Sequence, residues 1–105
     1  MKKCIAFHSY KGGTGKSTIS SNISALLVKR GYNVLLIDMD VYAPTLQSYF
    51  NYEPNYWIND FLFNKAYFEN VIHDLTHRMK EFPTIKDYDN KLGKLFIIFS
   101  DSEII

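Results

Sequence analysis

His8-Ser9-Tyr10-Lys11-Gly12-Gly13-Thr14-Gly15-Lys16-Ser17-Thr18 is the stretch on which the fold and chemistry of this chain turn. An apolar run, Cys4-Ile5-Ala6-Phe7, precedes it, and a run with helical spacing from Ile19 to Arg30 follows. A glycine-rich turn between a strand and a helix is a recurrent holder of nucleotide phosphates. Gly12, Gly13 and Gly15 let the backbone curl with positive φ and bring its N–H groups close to an anion. Lys16 adds a point charge for β- and γ-phosphates, and the Ser17 hydroxyl suits a Mg²⁺ position. The ordinary phosphate-loop pattern has Gly five places before Gly15, where this chain has Tyr10. Lys11 stands instead ahead of the double glycine.

The string Lys11-Gly12-Gly13-Thr14-Gly15-Lys16-Ser17-Thr18 resembles the deviant Walker A signature of the MinD/ParA/Mrp superfamily of ATPases. The resemblance implies a P-loop over residues 8–18 that binds ATP with Mg²⁺. It also implies that Lys11 reaches across an ATP-dependent homodimer to the partner's phosphates. Lys11 and Lys16 are thus catalytic candidates, and residues Lys11 through Thr18 are the nucleotide-binding set. The bland alternative is a glycine-rich turn with a chance pair of lysines.

A second constellation follows at once. Asn33-Val-Leu-Leu-Ile-Asp38 reads as a buried strand, and it delivers Asp38-Met39-Asp40-Val41-Tyr42-Ala43-Pro44-Thr45 at its carboxyl end. In an open parallel sheet that end is where ligands bind, the same edge as the glycine loop. The chain must turn before Pro44, so one aspartate can face metal and phosphate while the other anchors the loop. The segment 38–45 resembles switch I of the same superfamily. By that match Asp40 positions or activates the attacking water, and Asp38 supports the site and joins Ser17 as a metal-facing candidate. Solvated loop carboxylates are the alternative reading of both.

The rest of the pattern is α/β: a P-loop NTPase-like parallel sheet flanked by helices. Residues 3–8 predict a buried strand, and Ile19, Ile23, Leu26 and Leu27 recur at helical spacing, with Ala25 and Val28 beside them. Gly31 after Lys29-Arg30 predicts a helix stop, with cations against the negative end of the dipole. Strand, helix and strand make a right-handed βαβ unit. Pro44 predicts a short helix through Phe50, Tyr52 to Asn55 a turn, and Trp57 to Phe63 another short helix. Val71 to Met79 suits helix or strand, Glu81 to Lys91 an exposed loop, and Leu95-Phe-Ile-Ile-Phe99 a third strand. Tyr49, Phe50, Tyr52, Tyr56, Trp57, Phe61 and Phe63 read more readily as core than as a partner surface. His73 and His77, four apart, read as surface histidines rather than zinc ligands, and His8 as packing at a strand end.

Composition narrows the class. The 105 residues allow one small domain, and 47% apolar content argues against disorder. Net charge is +1 with no basic block, which gives no direct nucleic-acid signal. Only Arg30 and Arg78 are arginines, so a lysine is the better candidate for a charge-stabilising finger. The one cysteine, Cys4, forms no internal disulfide and fits a reducing, cytoplasmic setting. No apolar run approaches the roughly 20 residues of a transmembrane span, and Cys4 to Phe7 is too short for a signal peptide.

Residues 1–105 therefore read as the amino-terminal part of a single P-loop ATPase domain. The superfamily resemblance implies a later switch II strand between the first two strands and an adenine pocket, and neither is legible here. The leading expectation is a slowly hydrolysing ATP switch that dimerises on ATP, with room for a regulatory partner protein. Three alternatives stand beside it. One is a metabolic ATP-dependent phosphotransferase or synthetase, another an Mrp-like iron–sulfur carrier, and the third a non-catalytic truncated remnant.

Overall fold

The computed structural model describes residues 16–39, 46–81 and 92–101. The strand expected over 3–8 and most of the loop expected over 81–91 lie outside these residues. Helix α1 spans Lys16–Lys29. Its core stripe is not the one that the apolar spacing suggests. Ile19 and Leu26 are 50% and 44% exposed, whereas Ser21, Ser24, Ala25 and Val28 are buried. Those four occupy positions i, i+3, i+4 and i+7, one helix face, and all are small. The buried face thus carries short side chains, and the larger Ile19 and Leu26 lie on the exposed side. The Ser21 Oγ is buried without a hydrogen-bond partner. Its size, not its hydroxyl, suits the contact.

Helix α1 ends in a Schellman turn. Gly31 has φ 91°, its N–H bonds the Val28 oxygen at 2.9 Å, and the Tyr32 N–H bonds the Leu27 oxygen at 3.1 Å. Only glycine takes that left-handed position without cost, as the sequence predicts. The same device closes α2 (Leu46–Phe50) and α3 (Ile58–Leu62) with asparagine in the glycine's place. Asn51 and Asn64 have φ 49° and 61°. Tyr52 N–H reaches the Gln47 oxygen at 3.2 Å, and Lys65 N–H the Asp60 oxygen at 2.7 Å. The Arg78 guanidinium donates to the Phe50 oxygen at 2.6 Å, meeting the negative end of α2.

Among the described residues the sheet has three strands, in the order β1-β3-β2. Strands β1 (Val34–Ile37) and β3 (Leu95–Ile98) are parallel, with Val34 opposite Leu95 and Ile37 opposite Ile98. Strand β2 (His73–Asp74) joins β3 antiparallel, so the sheet is mixed rather than parallel throughout. This resolves the ambiguous stretch 71–79. Helix α4 (Phe68–Val71) ends at Val71, two residues pair as β2, and a 3-10 helix covers Thr76–Glu81. The β-branched residues at its start end one helix, and Leu75 and Met79 bury from the next turn.

Alternation along β3 divides the interior in two. Leu95, Ile97 and Phe99 face a core with Ala25, Val28, Leu46, Phe50, Leu75 and Met79, against which Val34, Leu36, Tyr52 and Trp57 pack. Ile98 faces the other side, with Ile58 and Val71. That second layer leaves β1 thinly covered: Leu35 and Ile37 are 44% and 41% exposed, so β1 is not buried on both faces as its apolar run suggests. The aromatic group also divides. Phe50 is buried and Tyr52 and Trp57 pack on the core, but Tyr49, Tyr56, Phe61 and Phe63 are exposed.

Candidate functional site

Helix α1 runs down the sheet, reverses at Gly31, and β1 returns parallel to β3. The amino end of α1 and the carboxyl ends of β1 and β3 therefore share one edge of the molecule. Lys16 and Ser17 are the first two residues of α1, and Thr18, the third, is exposed. The first turn of α1 contains no acidic residue. No acidic residue within that turn offsets its leading N–H groups and roughly half a positive charge, a setting that suits an anion. Residues Lys11, Gly12, Gly13, Thr14, Gly15 and Asp40, with His8 and the rest of 41–45, lie outside the described residues.

Asp38 closes β1 at this edge and is buried, 8% exposed. Its N–H donates to the Ile98 oxygen at 3.0 Å, extending the parallel ladder by one bond. Its carboxylate Oδ2 accepts the Leu46 N–H, the first amide of α2, at 3.3 Å. A hydroxyl from Ser100, buried just past β3, donates to the Asp38 backbone oxygen. Of the two roles that the sequence leaves open for the aspartate pair, loop anchor describes the contact Asp38 makes with Leu46. A helix amino terminus that begins with lysine and serine, sharing an edge with the residue that closes β1, Asp38, has the donor chemistry that suits a phosphate and its cation.

A second clasp lies beside it. The Asn59 side chain accepts the Asp101 N–H at 2.8 Å and donates to the Asp101 oxygen at 3.4 Å. It pairs with the chain leaving β3 as a neighbouring strand would. Ile58 N–H also reaches the Phe99 oxygen at 2.7 Å. Sequence reasoning missed Ser100, Asn59 and the Leu46 amide as edge residues. The available signal was Ser100-Asp101 directly after an apolar strand, the same polar ending that Asp38 gives β1.

His73 and His77 do not share a helix face. His73 lies in β2 and His77 in the 3-10 helix. His77 is exposed, as expected, and His73 is half-buried: its ring packs beside Tyr52 and Phe99 at 5.5 and 5.9 Å, and Nε2 lies 3.0 Å from the Tyr56 oxygen. No helix among the described residues is long and apolar enough to cross a membrane.

A parallel strand pair, crossed by a helix whose amino end meets the strand ends, makes this a partial P-loop NTPase-like α/β fold. The chain belongs to the CobQ/CobB/MinD/ParA nucleotide binding domain family, which matches residues 5–99. It is 42% identical over 60 residues to an uncharacterized ATP-binding protein of Methanocaldococcus jannaschii, covering 57% of this chain and 23% of that one. It is 46% identical over 50 residues to an iron-sulfur cluster carrier protein of Aquifex aeolicus, covering 48% of this chain and 14% of the carrier. An uncharacterized protein of Borreliella burgdorferi is 34% identical over 122 aligned positions, covering 95% of this chain and 49% of its own length. The chain thus spans half or less of each of these relatives. No solved structure matches it significantly.

Proposed function

We propose that this chain is the phosphate-binding part of an ATPase that binds Mg·ATP at the edge shared by α1, β1 and β3, hydrolyses it slowly, and dimerises on ATP. The observation that carries the reading is the family match across the Lys11–Thr18 motif, together with the placement of Lys16 and Ser17 at the start of α1. In this reading the amides around Gly12, Gly13 and Gly15 and the Lys16 ammonium hold the terminal phosphates. Ser17 faces the metal together with Asp38, whose contact with Leu46 uses the carboxylate Oδ2, and Mg²⁺, when bound, spreads the phosphate charge. Asp40 orients the attacking water. Lys11 stabilises the charge on the partner's nucleotide, the task that an arginine performs elsewhere. Groups fixed before the reaction need little reorganisation as charge redistributes.

A second reading draws on relatives. Iron-sulfur cluster carrier proteins of Aquifex aeolicus and Pyrococcus furiosus, each 46% identical over 50 and 46 residues, share part of this chain. Under it, ATP binding here would gate a cluster held elsewhere, since Cys4 is the one thiol in these 105 residues. Titration calorimetry with Mg·ATP tests the nucleotide site common to both. Iron and sulfide content after anaerobic reconstitution of the complete protein separates them.

A further inference from the structure

Asp38 is held at three points. Its N–H is bonded to β3 through the Ile98 oxygen at 3.0 Å. Its carboxylate takes the first amide of α2, Leu46, at 3.3 Å. Its backbone oxygen takes the hydroxyl of Ser100, 62 positions later in sequence. The carboxylate contact joins Asp38 to the start of α2, and the Ser100 contact joins Asp38 to the chain just past β3.

The chemistry at Ser100 is informative because the site does not ask for a hydroxyl on packing grounds. Leu95, Ile97, Ile98 and Phe99 before it are all buried, and Ser100 itself is 1% exposed. Alanine would fill nearly the same volume, and a buried hydroxyl is unfavourable unless its bond is made. The bond is made, and to the residue that begins the segment bearing Asp40.

We propose that Ser100 is a positioning residue for ATP hydrolysis: its hydroxyl couples the end of β3 to Asp38 at the end of β1 and, through Asp38, to the Leu46 amide that opens α2. This rests on the nucleotide reading above. Ser100 acts through Asp38 and touches no substrate. The coupling is a property of the chain without nucleotide and is measurable there.

The test uses Ser100→Ala and Ser100→Thr in the full chain, with three readouts. These are amide hydrogen exchange at Leu46 without nucleotide, Mg·ATP affinity and turnover, and the urea midpoint. Ser100→Ala should speed Leu46 exchange and lower turnover by about tenfold each, the size expected of one buried hydrogen bond, with affinity changed by less than about twofold. Ser100→Thr, which keeps the hydroxyl, should recover both. Unchanged Leu46 exchange in Ser100→Ala would overturn the proposal. So would a turnover loss that follows a loss of affinity and urea stability and is not rescued by Ser100→Thr. If the parent chain fails to bind Mg·ATP, the nucleotide reading falls. Leu46 exchange then still decides whether Ser100 sets the contact between Asp38 and Leu46.

Discussion

Gly93 packs against Tyr32 so closely that a Cβ on Gly93 would lie 1.8 Å from the Tyr32 carbonyl oxygen. The Gly93 N–H also reaches the Val28 oxygen at 2.9 Å, which sets the entry to β3 on the C-terminal turn of α1. The obstructing atom is backbone, so no side-chain rotation relieves the contact. Gly93→Ala should therefore destabilise the fold by about 3 kcal/mol or more, at the upper end of overpacking costs. Urea denaturation of variant and parent measures it, and a shift below about 1 kcal/mol would contradict the packing.

Gly31 presents a different demand, conformational rather than steric. Its φ of 91° is left-handed, so Gly31→Ala should cost about 1–2 kcal/mol. Asn64, at φ 61°, tolerates the same region, and Asn64→Gly should be neutral or slightly stabilising. Thermal unfolding of the two variants should order them in that way.

Ser21 offers a gain. Its Oγ is buried and unpaired, and the face it occupies calls for small size. Ser21→Ala should stabilise the fold by about 1 kcal/mol through removal of an unsatisfied hydroxyl. A destabilised Ser21→Ala would mean that the hydroxyl is bonded after all.

Asp74 gives a pH dependence with a definite sign. The Thr76 hydroxyl donates to its carboxylate at 2.6 Å and the Thr76 N–H at 3.0 Å. Those bonds favour the charged form and hold the Asp74 pKa below its ordinary 3.8. The folded value lies under the unfolded one, so the stabilisation is present above the ordinary value and is lost as pH falls through the lowered one. The same Thr76 oxygen accepts the Leu95 N–H at 3.0 Å, so the clasp also steadies the start of β3. Thr76→Val should raise the Asp74 titration midpoint, read by carboxyl NMR. An unmoved midpoint would show that the contact is not made in solution.

Much of this architecture can be read from local chemistry. Val34–Ile37, Leu95–Ile98 and α1 follow from apolar runs and the Gly31 stop, because period and punctuation are local. The burial of α1 was not legible, because its inward face carries Ser21 and Ser24 rather than Ile19, a tertiary preference that hydrophobic spacing does not carry. Nor was β2 legible: two residues pair only because β3 offers an edge. At the site, Asp38 announced itself through its place after a strand. Ser100 did not, since its role depends on a partner 62 residues away.

On the proposed function, the two lysines of the motif should separate binding from turnover. Lys16→Ala should abolish Mg·ATP binding. Lys11→Ala should bind it with near-parental affinity yet lose ATP-dependent dimerisation and about 10²–10³-fold in rate, the usual cost of deleting one charge-stabilising group. Lys11→Ala turning over ATP as fast as the parent would contradict the cross-dimer role.

The most direct measurement is isothermal titration of Mg·ATP into the parent chain and into Lys16→Ala. The account predicts saturable one-to-one binding by the parent and none by Lys16→Ala. Absence of binding by the parent, or equal binding by both, would contradict it.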